Sequence, residues 1–90
     1  MQAQFTVQNQ LGIHARPARK IVQTAAAFPC DIYLEKDGKR VGAKSLVNVL
    51  TLGAKYGNVI TIIAEGEREE EAVREIGAII ESPIEKVEWK

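Results

Sequence analysis

Cysteine is almost absent from this chain of 90 residues: Cys30 is the only one. It has no partner for an internal disulfide and no companions at metal-ligand spacing, so neither a disulfide framework nor a metal site is expected. Cys30 reads as a small, partly buried apolar residue beside a turn. Net charge is absent too. Twelve basic residues offset twelve acidic ones, which removes the global field that would gather nucleic acid or a membrane surface. No apolar run is long enough to span a bilayer, and MQAQFTVQNQ has no charged region leading into an apolar stretch. A cytoplasmic location is therefore expected, with no membrane and no nucleic acid among the partners. Low-complexity tracts, linkers and internal repeats are missing as well. What is left, 46% hydrophobic and 27% charged, has the composition of one ordinary globular domain.

The charges that are present are segregated. Residues 14–20 carry Arg16, Arg19 and Lys20 without an acid, whereas residues 65–75 carry six glutamates against Arg68 and Arg74. Such a local dipole orients a partner rather than attracting one in bulk. Hydrophobic patterning supplies the elements. Ala3, Phe5 and Val7 alternate with polar residues over 2–8, a half-buried strand. From about Ala15 to Ala27, Ala18, Ile21, Val22, Ala25 and Phe28 form a helical stripe, with Pro17 tolerated in the first turn and Pro29 stopping the run. DIYLEKDGKRVGA reads as a β-hairpin around Asp37-Gly38. In KSLVNVLTLG, Ser45 caps a short helix with Leu46, Val49, Leu50 and Gly53 at apolar positions, and a strand over VNVLTL is the competing reading. VITIIA is apolar on both faces and so reads as a central strand. A last helix is expected to begin near Glu67, to bury Ala72, Val73, Ile76, Ile79 and Ile80, and to end at Pro83. The tail IEKVEWK alternates through Val87 and Trp89. The order β-α-β-β-α-β-α predicts an α+β open-faced β-sandwich, with sheet on one side and helices on the other.

His14, the lone histidine, sits in LGIHARPARK at the end of a strand-to-helix loop. Helix mouths present N–H groups and a positive dipole end, which suits an anion. Imidazole is a nucleophile that is substantially neutral at pH 7. Together these suit transient phosphorylation of the ring, with Arg16 and backbone N–H groups holding the phosphoryl oxygens. Such a hold must stay modest, or the group would not be passed on. The plainer alternative is a loop histidine that caps the helix weakly.

GIHARPA at residues 12–18 resembles the active-site motif of HPr, the histidine-containing phosphocarrier family of the phosphoenolpyruvate-dependent sugar phosphotransferase system. The resemblance continues through VQTAAAF, DIYLEKDGK, AKSLVNVLTLGAKYG and ITIIAEGEREEEA. It covers about residues 2–81, leaving a short tail over 82–90. It implies a four-stranded antiparallel sheet covered on one face by three helices. It also implies that His14 takes a phosphoryl group on Nδ1 from enzyme I and passes it to sugar-specific enzyme II A subunits. Arg16 matches the family's phosphate-binding arginine and Pro17 the neighbouring helix proline. On this reading the chain is a carrier rather than an enzyme and needs no cofactor or metal.

KSLVNVLTLG is similar to the family segment with a regulatory serine, which falls on Ser45. In Gram-positive-type members a serine kinase/phosphorylase modifies it, and the product acts with a catabolite-control transcription regulator. A helix-capping serine without modification is the alternative. The resemblance places partner docking on Arg19, Leu46, Val47 and Leu50, although core packing explains Leu46 and Leu50 as well. Gram-positive members commonly have Met where this chain has Val47 and Leu50, and Gly at Asn48, so the corepressor role is less well matched than the carrier role. Two other functions stay open: a Ser45-dependent regulatory binding protein, as in a family branch that lost the histidine, and a carrier of the nitrogen-related parallel phosphotransferase chain.

Overall fold

The computed structural model describes residues 1–83; the expectations for IEKVEWK and Trp89 lie outside the described residues. Seven elements follow in the expected order: β1 (Gln2–Thr6), α1 (Ala15–Ala26), β2 (Asp31–Lys36), β3 (Lys39–Gly42), α2 (Leu46–Thr51), β4 (Val59–Glu65) and α3 (Glu69–Ile80). The strands make one antiparallel sheet in the order β1-β4-β2-β3. Its inward face meets the helices in a single cluster that includes Val7, Ile21, Leu34, Ile60, Ile62 and Ile76. Each such aliphatic side chain, when fully covered, contributes about 1.5–3 kcal/mol relative to exposure.

Local sequence explains most of this. β4 lies between β1 and β2: Ile60, Ile62 and Ala64 join the cluster on the helix-covered face, while the opposite face carries Ile63, only 6% exposed, and Val59, 48% exposed. The β2–β3 turn has Asp37 at φ 51° and Gly38 at φ 82°. Positive φ at both central residues is the two-residue hairpin turn that matches strand twist. VNVLTL is helical, not extended, because Ser45 is the N-cap and its hydroxyl accepts from the Asn48 N–H at 3.3 Å.

Two boundaries and one burial assignment stand out against the sequence reading. β1 ends at Thr6, and Val7 is instead held from the side, its N–H donating to the Asn58 carbonyl and its carbonyl accepting from Gly57. α3 starts at Glu69 rather than near Glu67, because Gly66 (φ 133°) and Arg68 (φ 65°) are both outside helical space. Arg68 is kept there by its stack on the Phe28 ring, 4.7 Å to the centroid, and by a 2.9 Å bond from Nε to Glu71. In the third case Leu50 is exposed, and Leu52 goes into the core in its place. The six-residue α2 stops at Thr51, and the reversal at Leu52–Gly53 (φ 65°) turns Leu52 inward.

Candidate functional site

The site is built on the loop from β1 to α1. Asn9 starts the reversal, its side-chain oxygen accepting from the Leu11 N–H at 2.8 Å and its carbonyl from the Gly12 N–H at 2.9 Å. Gly12 then passes at φ 74° so close to the neighbouring loop that a Cβ would lie 2.6 Å from the Ala54 carbonyl oxygen. The Ile13 N–H donates to that same oxygen at 3.0 Å, and the Ile13 side chain is buried. His14, the next residue, is thus held from behind by the chain that leaves α2.

His14 is the N-cap of α1, with extended backbone (φ −96°, ψ −163°), and its carbonyl accepts from Ala18 at 2.9 Å. The imidazole makes no capping hydrogen bond to the helix. The residue is half-buried, and its Nε2 is the shielded nitrogen, with under 1 Å² accessible. Arg16 is exposed one turn-position further on, and Pro17 is buried with Ala18 and Ile21 on the inner face of the helix. Pro17 is the third residue of the helix, where an N–H would have no intrahelical acceptor. No acidic residue lies in the first turn of α1. An anion at this mouth would therefore meet the helix dipole and a guanidinium without a competing carboxylate from that turn.

The other predicted positions lie on α1 and α2, and the residue before Ser45, Lys44, donates to the Phe28 carbonyl beyond the far end of α1 from His14. Arg19 is exposed on α1. Ser45 is half-buried as the α2 N-cap, Leu46 is half-buried against the core, and Val47 and Leu50 are exposed at 68% and 39%. The structure thus unites His14, Arg16 and Pro17 in one helix mouth, and it connects that mouth to α2 through Ile13 and Ala54. Sequence reading missed this Gly12–Ala54 strut, along with two exposed apolar residues flanking it, Leu11 and Tyr56. The available signal was Gly12 itself, an obligatory small residue between an apolar neighbour and the histidine.

Residues 1–82 match the family described as "PTS HPr component phosphorylation site". The chain belongs to the HPr family. Among HPr-family relatives, the HPr-like protein Crh of Bacillus subtilis is 39% identical over 93% of this chain and 99% of its own length. A solved structure of HPr-C-His from Thermoanaerobacter tengcongensis superposes with a TM-score of 0.87 at 43% identity, covering 92% of this chain and 93% of that one. HPr from Bacillus anthracis gives 0.85 at 41% identity, covering 89% and 95%. The HPr fold, four antiparallel strands under three helices, is the fold described above. Among the described residues, no helix is long and apolar enough to cross a membrane.

Proposed function

We propose that this HPr-family chain is a phosphocarrier. His14 accepts a phosphoryl group from phosphorylated enzyme I and passes it to enzyme II A subunits. The observation that carries this reading is the placement of His14 as the N-cap of α1, half-buried with Nε2 turned inward, two residues before Arg16. With the ring proton on the shielded Nε2, the Nδ1 lone pair attacks phosphorus. The new N–P bond forms as the bond to the donor atom breaks, and the donor keeps that electron pair. Arg16 and the first-turn N–H groups offset charge on the phosphoryl oxygens. An exposed guanidinium stabilises the group only moderately, which keeps its onward transfer feasible. A branch of the family works by regulation alone after losing this histidine; its retention here favours transfer.

Ser45 carries a second reading, as a site of kinase modification linked to carbon catabolite control. It is favoured by a hydroxyl set at the mouth of α2, beside exposed Val47 and Leu50. Phosphopeptide mapping after separate incubations tests both readings. Enzyme I with phosphoenolpyruvate is expected to add one phosphate at His14, lost in His14→Ala; the serine kinase with ATP is expected to label Ser45. A wild-type chain left unmodified by active enzyme I overturns the carrier reading. Faster labelling by the donor of the nitrogen-related chain would reassign the relay.

A further inference from the structure

We propose that the outer edge of β1 is a docking site for residues 84–90 of this same chain, IEKVEWK, which add to the sheet as a strand antiparallel to β1. β1 is one of the two edge strands, and no described strand pairs on its outer side. Exposed edges are normally blunted by charge, by proline or by shortness. β3, the other edge, is four residues long and carries Lys39 and Arg40. β1, QAQFT, has no charge and no proline. Its inward side chains are also incompletely covered: Ala3 and Phe5 pack against the core yet stay half-buried. An edge left in this state is matched by a strand that supplies both main-chain partners and apolar cover.

Hydrogen bonding along β1 shows where that strand enters. The Val7 N–H donates to the Asn58 carbonyl at 2.9 Å, and the Met1 carbonyl accepts from Ala64 at 2.8 Å. Odd-numbered residues thus direct their main-chain groups at β4, and Gln2, Gln4, Thr6 and Gln8 direct theirs outward. The first outward position is already taken, because the Gln8 N–H donates to the Ile80 carbonyl in the last turn of α3 at 3.3 Å. The chain therefore leaves α3 beside the Thr6 end of β1, and continuing along the same row it runs antiparallel to that strand. At about 3.3 Å per residue, the seven residues 84–90 extend far enough to line all five of β1. Their alternation sets the register. Val87 and Trp89 alternate with Lys86, Glu88 and Lys90. Residues opposite each other share a face, so Val87 beside Phe5 and Trp89 beside Ala3 bring Lys86, Glu88 and Lys90 beside Thr6, Gln4 and Gln2 on the open face. A slip of one residue would set a charged side chain beside Phe5 instead. In the matched register Glu88 and Gln4 exchange both main-chain bonds.

Amide hydrogen exchange of the 90-residue chain, at a concentration where it sediments as a monomer, tests this without reference to the carrier reading. The outward N–H groups of Gln4 and Thr6 are expected to exchange at least about a hundredfold more slowly than in unstructured peptide. Glu88→Pro removes the donor opposite Gln4 and should speed exchange at Gln4 and Thr6 by about tenfold or more. Ala3 and Phe5, bonded to β4, should keep their protection in that variant, which separates loss of the added strand from unfolding. Glu88→Ala retains the donor and should stay within about twofold of wild type. Exchange at Gln4 and Thr6 as fast as in unstructured peptide, or unchanged by Glu88→Pro, overturns the proposal. Protection that appears only as concentration rises would assign the edge to a second copy of the chain and overturn it equally.

Discussion

At the scale of single residues, position 12 is the most constrained in the candidate site. Its φ of 74° already disfavours any side chain, and the atoms a Cβ would meet are backbone: the Ala54 oxygen at 2.6 Å and the Lys55 Cα at 3.1 Å. Backbone does not rotate away as a side chain does. Gly38 offers the comparison, with φ 82° and nothing within 4 Å of its Cβ position. Gly38→Ala is therefore expected to cost about 1 kcal/mol from strain alone. Gly12→Ala should cost at least about 1 kcal/mol more, because the two loops must part. Urea midpoints of both variants check this; equal losses would show that the strut yields without resistance. Since Ile13 hangs from the same oxygen, Gly12→Ala should also, on the carrier reading proposed above, slow phosphoryl uptake by His14, measured as the rate of the one-phosphate mass gain.

Elements whose chemistry is local were legible from sequence. The stripe through Ala18, Ile21, Ala25 and Phe28 specified the inner face of α1, and Asp37-Gly38 specified a turn that needs positive φ twice. His14 at the helix mouth was legible for the same reason, since a strand ending, a glycine and a proline three residues on delimit it. What stayed hidden depends on residues far apart in the chain. No window reading places Gly12 under Ala54, or sends Leu52 inward while Leu50 faces out. Gly77 is a further case: in the middle of α3 it looks like a weak point, yet a Cβ there would lie 2.3–2.7 Å from three atoms of the Phe5 ring on β1. Helix propensity favours Gly77→Ala by about 1 kcal/mol, whereas overpacking costs about 1–3 kcal/mol. The ring is half-buried and wedged between sheet and helix, so the clash is expected to win and the variant to lose about 1 kcal/mol net. In a Phe5→Leu background the same change should become stabilising. A double-mutant cycle from urea unfolding reads that reversal of sign; its absence would mean that Phe5 swings clear at no cost.

The whole molecule divides its charge between two ends, basic around His14 and acidic over the start of α3, and the acidic end ties the fold to pH. Glu69 accepts from the Gly66 N–H at 3.0 Å and lies 3.3 Å from the Met1 amino group, which itself donates to the Ala64 carbonyl at 2.8 Å. The Gly66 hydrogen bond first, and the bond with the Met1 amino group second, hold its carboxyl below the ordinary glutamate value of 4.5. The Glu71 carboxyl is likewise lowered, first by the hydrogen bond from Arg68. A carboxyl more acidic in the folded chain than in the unfolded one stabilises the fold at pH values above its unfolded value. That contribution fades as pH falls below 4.5 and through the lower folded value, because the folded state then resists a proton that the unfolded state accepts. Both groups are half-exposed to solvent, so the effect is modest and salt-sensitive. The wild-type urea midpoint should therefore drop between about pH 6 and about pH 3, and the drop should be smaller in Glu69→Gln and smaller again in Glu69→Gln/Glu71→Gln. Glutamine keeps an acceptor for the Gly66 N–H but cannot titrate, so the variants differ from wild type mainly in slope. Parallel pH profiles for all three chains would show that acid sensitivity arises elsewhere in the molecule, not where β4 joins α3.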